Sequence, residues 1–247
     1  MRNAVHAEWT KLRTVGGPAW LLTAVVVGTV AASAAVVSGR SCPECIADPT
    51  KLSLTGVQLG QVIVAMLAVT VIGGEYSTGL VGPTLTAVPR RLSLLGAKAV
   101  VVTAPVTVAA TIAVIGSLLV GQILLPTAGS SLVAGTSLRA GAGSVLYLAL
   151  IALLSLGVAA AVRSSAGAIG VVLGLLYLFP ILITVVTDPG WKRHLRQIAP
   201  SEAGLAIQVT KDIDGLPIGP WAGLGVLALW AAGALVVGGL VLRLRDA

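Results

Sequence analysis

The sequence predicts an all-α membrane protein with six transmembrane helices, and three observations carry that prediction. Of 247 residues, 56% are hydrophobic and only 10% are charged, against about 25% charged in soluble domains. Mean hydropathy is +1.00. Six apolar blocks reach the roughly 20 residues that a helix needs to cross the hydrocarbon layer. They are residues 19–38, 54–74, 99–125, 140–162, 166–187 and 221–242. The connections are short, and the longest, 188–220, is too small for a soluble catalytic domain. Residues 1–247 therefore read as one membrane domain. The net charge of +7 comes from basic residues placed singly or in pairs beside apolar blocks. That pattern lacks the clustered basic stripe of a nucleic-acid binder, so no nucleic-acid partner is predicted.

Residues 2–14 precede the first span and read as an amphipathic elbow helix. Val5, Trp9 and Leu12 share one face, and Arg2, Lys11 and Arg13 form a basic remainder suited to the headgroup layer. Gly16-Gly17-Pro18 should break that helix before the span. Ala32-Ser33-Ala34 resembles a signal cleavage site. The polar segment ahead of the block and the block's length favour a retained helix. The loop after it contains Cys42-Pro43-Glu44-Cys45. No thioredoxin-like fold fits there, and a zinc site needs about four ligands. A local disulfide or two free thiols are the readings for Cys42 and Cys45, and no metal site is predicted.

The second span runs into Gly73-Gly74-Glu75-Tyr76-Ser77-Thr78-Gly79-Leu80, and Val88-Pro89-Arg90-Arg91 precedes the third. A carboxylate, a phenol, helix breakers and paired guanidinium groups between two apolar blocks read as a docking surface. Pro105 and Pro180 lie inside the third and fifth blocks, where proline is tolerated and often kinks the helix. Ala166, Gly170 and Gly174 recur at four-residue spacing, which lets backbones approach closely. Their partner is either a second subunit or another helix of this chain. In residues 188–220, Trp191, Leu195 and Ile198 stand at near-helical spacing among Lys192, Arg193 and Arg196. Pro200 to Ile207 adds a second short apolar piece. Neither is long enough to span; they dip into a leaflet, lie on it, or form a solvated loop.

Charge suggests the orientation. With both termini inside, the inner basic residues are Arg2, Lys11, Arg13, Arg90, Arg91, Lys98, Arg163, Arg243 and Arg245. The outer ones are Arg40, Lys51, Arg139, Lys192, Arg193, Arg196 and Lys211. The excess is modest overall and clearest around the first hairpin, and it favours N-in and C-in by the positive-inside rule. Several chemistries are absent. None of the six blocks contains Asp, Glu, Lys, Arg or His; their polar residues are Ser, Thr, Gln58, Gln61, Gln122, Tyr147 and Tyr177. Proton-driven carriers generally keep an ionisable relay in the membrane. There is no His-Glu-x-x-His motif and no Gly-x-x-x-x-Gly-Lys-[Ser/Thr] phosphate loop. The two histidines, His6 and His194, fall on opposite sides. The chain is not expected to be an enzyme by itself, and energy for active transport would come from another polypeptide.

The chain resembles the membrane (permease) subunits of type-2 ABC exporters, the ABC-2 family, in its small actinobacterial kind. The motifs that carry the resemblance are Glu8-Trp9-Thr10-Lys11-Leu12-Arg13, Gly74-Glu75-Tyr76-Ser77-Thr78-Gly79 with Pro89-Arg90-Arg91, and Ala199-Pro200-Ser201-Glu202-Ala203-Gly204. With the six-helix spacing they touch the whole chain. The resemblance implies two facing permeases, identical or related, each carrying a separate ABC ATPase subunit that binds ATP and Mg; this chain would bind no cofactor. It implies a coupling segment at 75–98 docked on the ATPase, residues 2–14 as the elbow, and 188–220 as outer re-entrant elements. Docking falls to Glu75, Tyr76, Pro83, Thr84, Leu85, Pro89, Arg90 and Arg91. Glu75 would accept hydrogen bonds from the elbow or nearby backbone, and the Arg pair would meet the ATPase or anionic lipid. Relatives often carry a basic residue shortly after the Gly-Glu-Tyr motif; here the run is Leu80-Val81-Gly82-Pro83. Pro83 favours a helix's first turn, which moves the docking helix to residues 83–88. The implied cargo is hydrophobic or amphipathic: a drug-like natural product, lipid or peptide. The implied place is the plasma membrane of a high-GC Gram-positive bacterium. A non-translocating membrane assembly or regulatory protein is the alternative.

Overall fold

Every long apolar block is a helix in the computed structural model, which describes residues 6, 8–10, 16–39, 47–77, 91–125 and 135–244. The side chains of residues 75–77, 91 and 92 are not among those described. The helices are α1 (Gly16–Ser38), α2 (Pro49–Ser53), α3 (Val57–Ser77), α4 (Arg91–Leu124), α5 (Gly135–Val162) and α6 (Ser165–Leu173). A π-helical turn, Gly174–Leu178, joins α6 to α7 (Phe179–Val185). Then come α8 (Pro189–Ile198), α9 (Pro200–Leu205), single 3-10 turns at Ala206–Gln208 and Ile213–Gly215, and α10 (Pro220–Leu244). Among the described residues there is no strand. Among the described residues, six helices are long and apolar enough to cross a membrane.

The bundle has an apolar outside and a partly polar inside. Trp20, Val27, Ile112, Ile123, Leu229 and Val236 point outward, whereas Thr29, Ser33, Gln61, Ser117, Ser144 and Ser155 are fully or almost fully buried. A soluble core shows the reverse. In hydrocarbon, lipid solvates apolar side chains, so helices associate through close packing and interhelical hydrogen bonds. The span containing α2 and α3 is 61% buried and α5 is 56% buried, against 22% for α1 and for the α6–α7 span. The two better-covered spans form the centre, and α4, α10, α6 and α1 surround them.

Small residues set the contact distances. α5 meets α10 where a Cβ on Gly238 would stand 2.6 Å from the carbonyl oxygen of Gly157. Only glycine permits that approach of two backbones. In α1, the Ser33 hydroxyl accepts the amide of Gly56 at 3.1 Å, capping the turn between α2 and α3.

Several helices extend beyond the charge-free blocks. α1 begins at Gly16, so Gly16-Gly17-Pro18 form its first turn, where proline loses no internal hydrogen bond. Residues 11–15, where the N-terminal helix is expected to end ahead of this turn, lie outside the described residues. α4 begins at Arg91 and carries Lys98, and α5 begins at Gly135 and carries Arg139. α4 remains one helix through Pro105. Only Pro180 coincides with a change of helix type.

Candidate functional site

At the end of the bundle opposite the N-terminus, residues 188–220 fold against the helices. Asp48, the N-cap of α2, accepts the amide of Lys51 at 3.0 Å. It also accepts the Thr210 hydroxyl at 2.7 Å and the amides of Thr210 at 2.6 Å and Lys211 at 3.2 Å. These bonds occupy the roughly four lone-pair sites of a carboxylate. Burial alone raises the Asp48 pKa, but the four bonds outweigh it and hold the carboxyl below its ordinary value. Arg139 Nη2 donates to the Val209 carbonyl at 2.6 Å. Gln208 Nε2 donates to Ser144 at 3.1 Å, and Gln197 Nε2 to the Pro217 carbonyl at 2.6 Å. These bonds fasten residues 208–211 to α2 and α5.

The same region explains Ala199-Pro200-Ser201-Glu202-Ala203-Gly204. Pro180 has no amide proton, so the carbonyl one helical turn before it, Leu176 O, loses its α-helical donor. Ser201 Oγ donates to that oxygen at 2.9 Å, the kind of side-chain replacement that lets proline persist in a membrane helix. Pro200 begins α9. A Cβ on Gly204 would sit 2.6 Å from the Tyr147 ring. Trp230 Nε1 of α10 donates to the Ile198 carbonyl at 2.9 Å, fixing the corner between α8 and α9.

A polar column descends from this end into the bundle. Tyr177, in the π-helical turn, donates to the backbone carbonyl of Gln58. One turn deeper, Tyr147 of α5 donates to Oε1 of Gln61, and both side chains are almost fully buried. The π turn places Tyr177 against α3, consistent with the frequent use of such turns at functional positions. Above the column lies a cavity of about 290 Å³ lined by Lys51, Gln58, Arg196, Glu202 and Gln208, with an apolar wall that includes Leu205 and Leu216. Arg196 and Glu202 stand 4.0 Å apart and are each 43% exposed, so their pairing is weak. Among the described residues, no group of three or more His, Cys, Asp and Glu could hold a metal ion.

At the opposite end, Glu8 and Lys98 form an ion pair of 2.8 Å, with side-chain exposures of 6% and 4%. It ties the helical residues 8–10 to the first turns of α4, which follow the segment 78–90. Both residues were visible in the sequence, but nothing in their spacing pairs them. Trp9 lies exposed at the perimeter beside the inward Glu8. Of the other elbow residues, Val5, Lys11, Leu12 and Arg13 lie outside the described residues. So do Pro83, Thr84, Leu85, Pro89, Arg90, Cys42 and Cys45. Glu75 and Tyr76 continue α3 to Ser77, and Arg91 opens α4; their side chains are not described. Arg163 turns the chain between α5 and α6 with φ of 61°, in the left-handed region uncommon for non-glycine residues.

Ala166 and Gly170 are exposed, and a Cβ on Gly170 or Gly174 would meet nothing within 4 Å. No described helix of this chain therefore packs closely on either glycine. The polar column itself went unrecognised in the sequence. Its members appear there as isolated polar residues in apolar blocks, and the only shared signal is that they are the blocks' few Gln and Tyr residues. No family model matches the chain, and no curated protein matches it.

Proposed function

We propose that this chain is the permease subunit of an ATP-driven exporter, with both termini in the cytoplasm and ATP hydrolysed by a separate nucleotide-binding subunit. The segment 75–98 supplies the coupling element, with its docking helix at residues 83–88, the N-terminal helix is the elbow, and residues 188–220 form the outer interfacial and re-entrant elements. Two permeases, identical or related, face each other across the path of a hydrophobic or amphipathic cargo. The assembly sits in the plasma membrane of a high-GC Gram-positive bacterium.

The observation that carries this reading is the buried Glu8–Lys98 pair. It joins the N-terminal helix to α4 close to where α4 leaves the proposed docking segment. A displacement of that segment then moves the N-terminal helix and α4 together instead of being absorbed in a loose joint. The polar column toward the other end gives the bundle hydrogen-bonding groups that a shifting α3 and α6–α7 pair can exchange. The chain's lack of a phosphate loop is compatible with an ATPase on a second polypeptide.

The test is charge reversal in the full complex. Arg90→Glu combined with Arg91→Glu is expected to lower ATPase association by about tenfold or more, since each removed contact is charge-assisted. Insertion and the thermal unfolding midpoint should be preserved. Unchanged association and unchanged coupled hydrolysis contradict the docking assignment.

A further inference from the structure

We propose that the cavity under α8 and α9 is a binding site for the phosphate-bearing headgroup of an anionic amphiphile. The inference goes beyond the exporter reading and does not depend on it, because every residue it uses is anchored within this chain. Lys51 and Arg196 face the cavity from two different elements, and among the described residues Glu202 is the one carboxylate in its lining. Asp48 stands three residues before Lys51, and its oxygens are engaged by the Thr210 hydroxyl and by three backbone amides. Asp48 is thereby spent on the backbone and leaves the Lys51 ammonium available to a ligand.

The pairing of Arg196 with Glu202 does not close the site. At 4.0 Å, with 43% exposure on both sides, it is a solvent-screened pair that an oxyanion can displace. Guanidinium and ammonium together suit a phosphate oxygen set, the first through its planar fork and the second as a point charge. Gln58 and Gln208 add amide groups, and Leu205 and Leu216 lie on the apolar wall beside them. A charged pole next to an apolar wall fits an amphiphile better than a fully polar solute. The volume of about 290 Å³ is at the low end for small-molecule sites, so it fits a headgroup rather than a whole lipid. α8 also presents Trp191 and Arg193 outward, with none of its residues buried. A basic helix carrying an exposed tryptophan suits the headgroup layer, which puts the cavity within reach of a leaflet.

The experiment uses the full-length protein in a neutral detergent, titrated with short-chain phosphatidylglycerol, short-chain phosphatidylcholine and inorganic phosphate and read by native mass spectrometry and calorimetry. Saturable binding of the phosphatidylglycerol is expected, with Lys51→Gln plus Arg196→Gln weakening it about tenfold or more. Glu202→Gln should tighten it several-fold by removing the competing carboxylate, and because Glu202 is 43% exposed the variant leaves the buried residues of α9 in place. Arg243→Gln, at the far end of α10, should leave it unchanged. Tighter binding of the acylated compound than of inorganic phosphate assigns the membrane lipid as the source. Inorganic phosphate binding as tightly as the phosphatidylglycerol, or phosphatidylcholine binding as tightly, overturns the assignment to an anionic amphiphile. The proposal is overturned if neither probe saturates, if Lys51→Gln plus Arg196→Gln binds as the parent does, or if Glu202→Gln weakens binding.

Discussion

Glu8 and Lys98 are separated by 90 residues and meet at 2.8 Å with almost no exposed surface. Desolvating both charges is costly, so the pair is weak evidence of net stabilisation, but leaving either member alone in that environment costs about 3–5 kcal/mol. Glu8→Gln or Lys98→Met should each lower the unfolding free energy by about that amount. The double variant should recover much of the loss. Denaturant unfolding in micelles gives the coupling energy, and strictly additive losses contradict a direct pair. Asp48 makes a pH prediction. Its folded pKa lies below the ordinary value, so its contribution is fully present above the unfolded pKa of about 3.9. It is lost as pH falls through the lower folded value. The unfolding midpoint of the parent should exceed that of Asp48→Asn at pH 5–7, an interval chosen to lie above about 3.9, and the two should converge in stronger acid. Equal midpoints throughout contradict the four-bond arrangement.

At the scale of elements, the break in the fifth span is a two-part device. Pro180 withdraws a donor from Leu176 O, and Ser201 supplies another from α9. Ser201→Ala should cost about 1–3 kcal/mol, the usual penalty for an unsatisfied buried acceptor. Adding Pro180→Ala should return most of it by restoring the backbone donor. Thermal unfolding of the single and double variants measures this; no rescue contradicts the pairing. The example shows what the sequence made legible. Pro180 announces a disturbance because its chemistry is local, whereas the compensating hydroxyl is 25 residues away. The six spans were legible for a similar reason: a continuous run of apolar residues is a local property. Their ends were less so, because α4 and α5 run on into charged residues that bond distant partners, Lys98 with Glu8 and Arg139 Nη2 with Val209 O. The Gln61–Tyr147 contact joins residues 86 apart. Without a measure of which helix faces meet, the sequence offers two polar residues and no column.

For the whole molecule, the two ends do different work. One end brings together residues 8–10, the end of α3 at Ser77 and the start of α4 at Arg91; the other is sealed by α8, α9 and the turns that follow. Between them, α3 and α5 carry the polar column, and close glycine contacts such as Gly157 with Gly238 hold α5 against α10. A bundle with one tightly clamped end and one polar, cavity-bearing end is suited to passing a push at the first into a rearrangement at the second. The proposal that a separate ATPase supplies such a push is the central claim. Its most direct test is to purify the full-length chain from its native membrane, identify any phosphate-loop ATPase that copurifies, and measure ATP hydrolysis after reconstitution. The account predicts a stable complex of two permeases and two ATPase subunits with vanadate-sensitive hydrolysis that Arg90→Glu plus Arg91→Glu uncouples. A chain that purifies repeatedly without any ATPase, or whose presence leaves that hydrolysis unchanged, contradicts it.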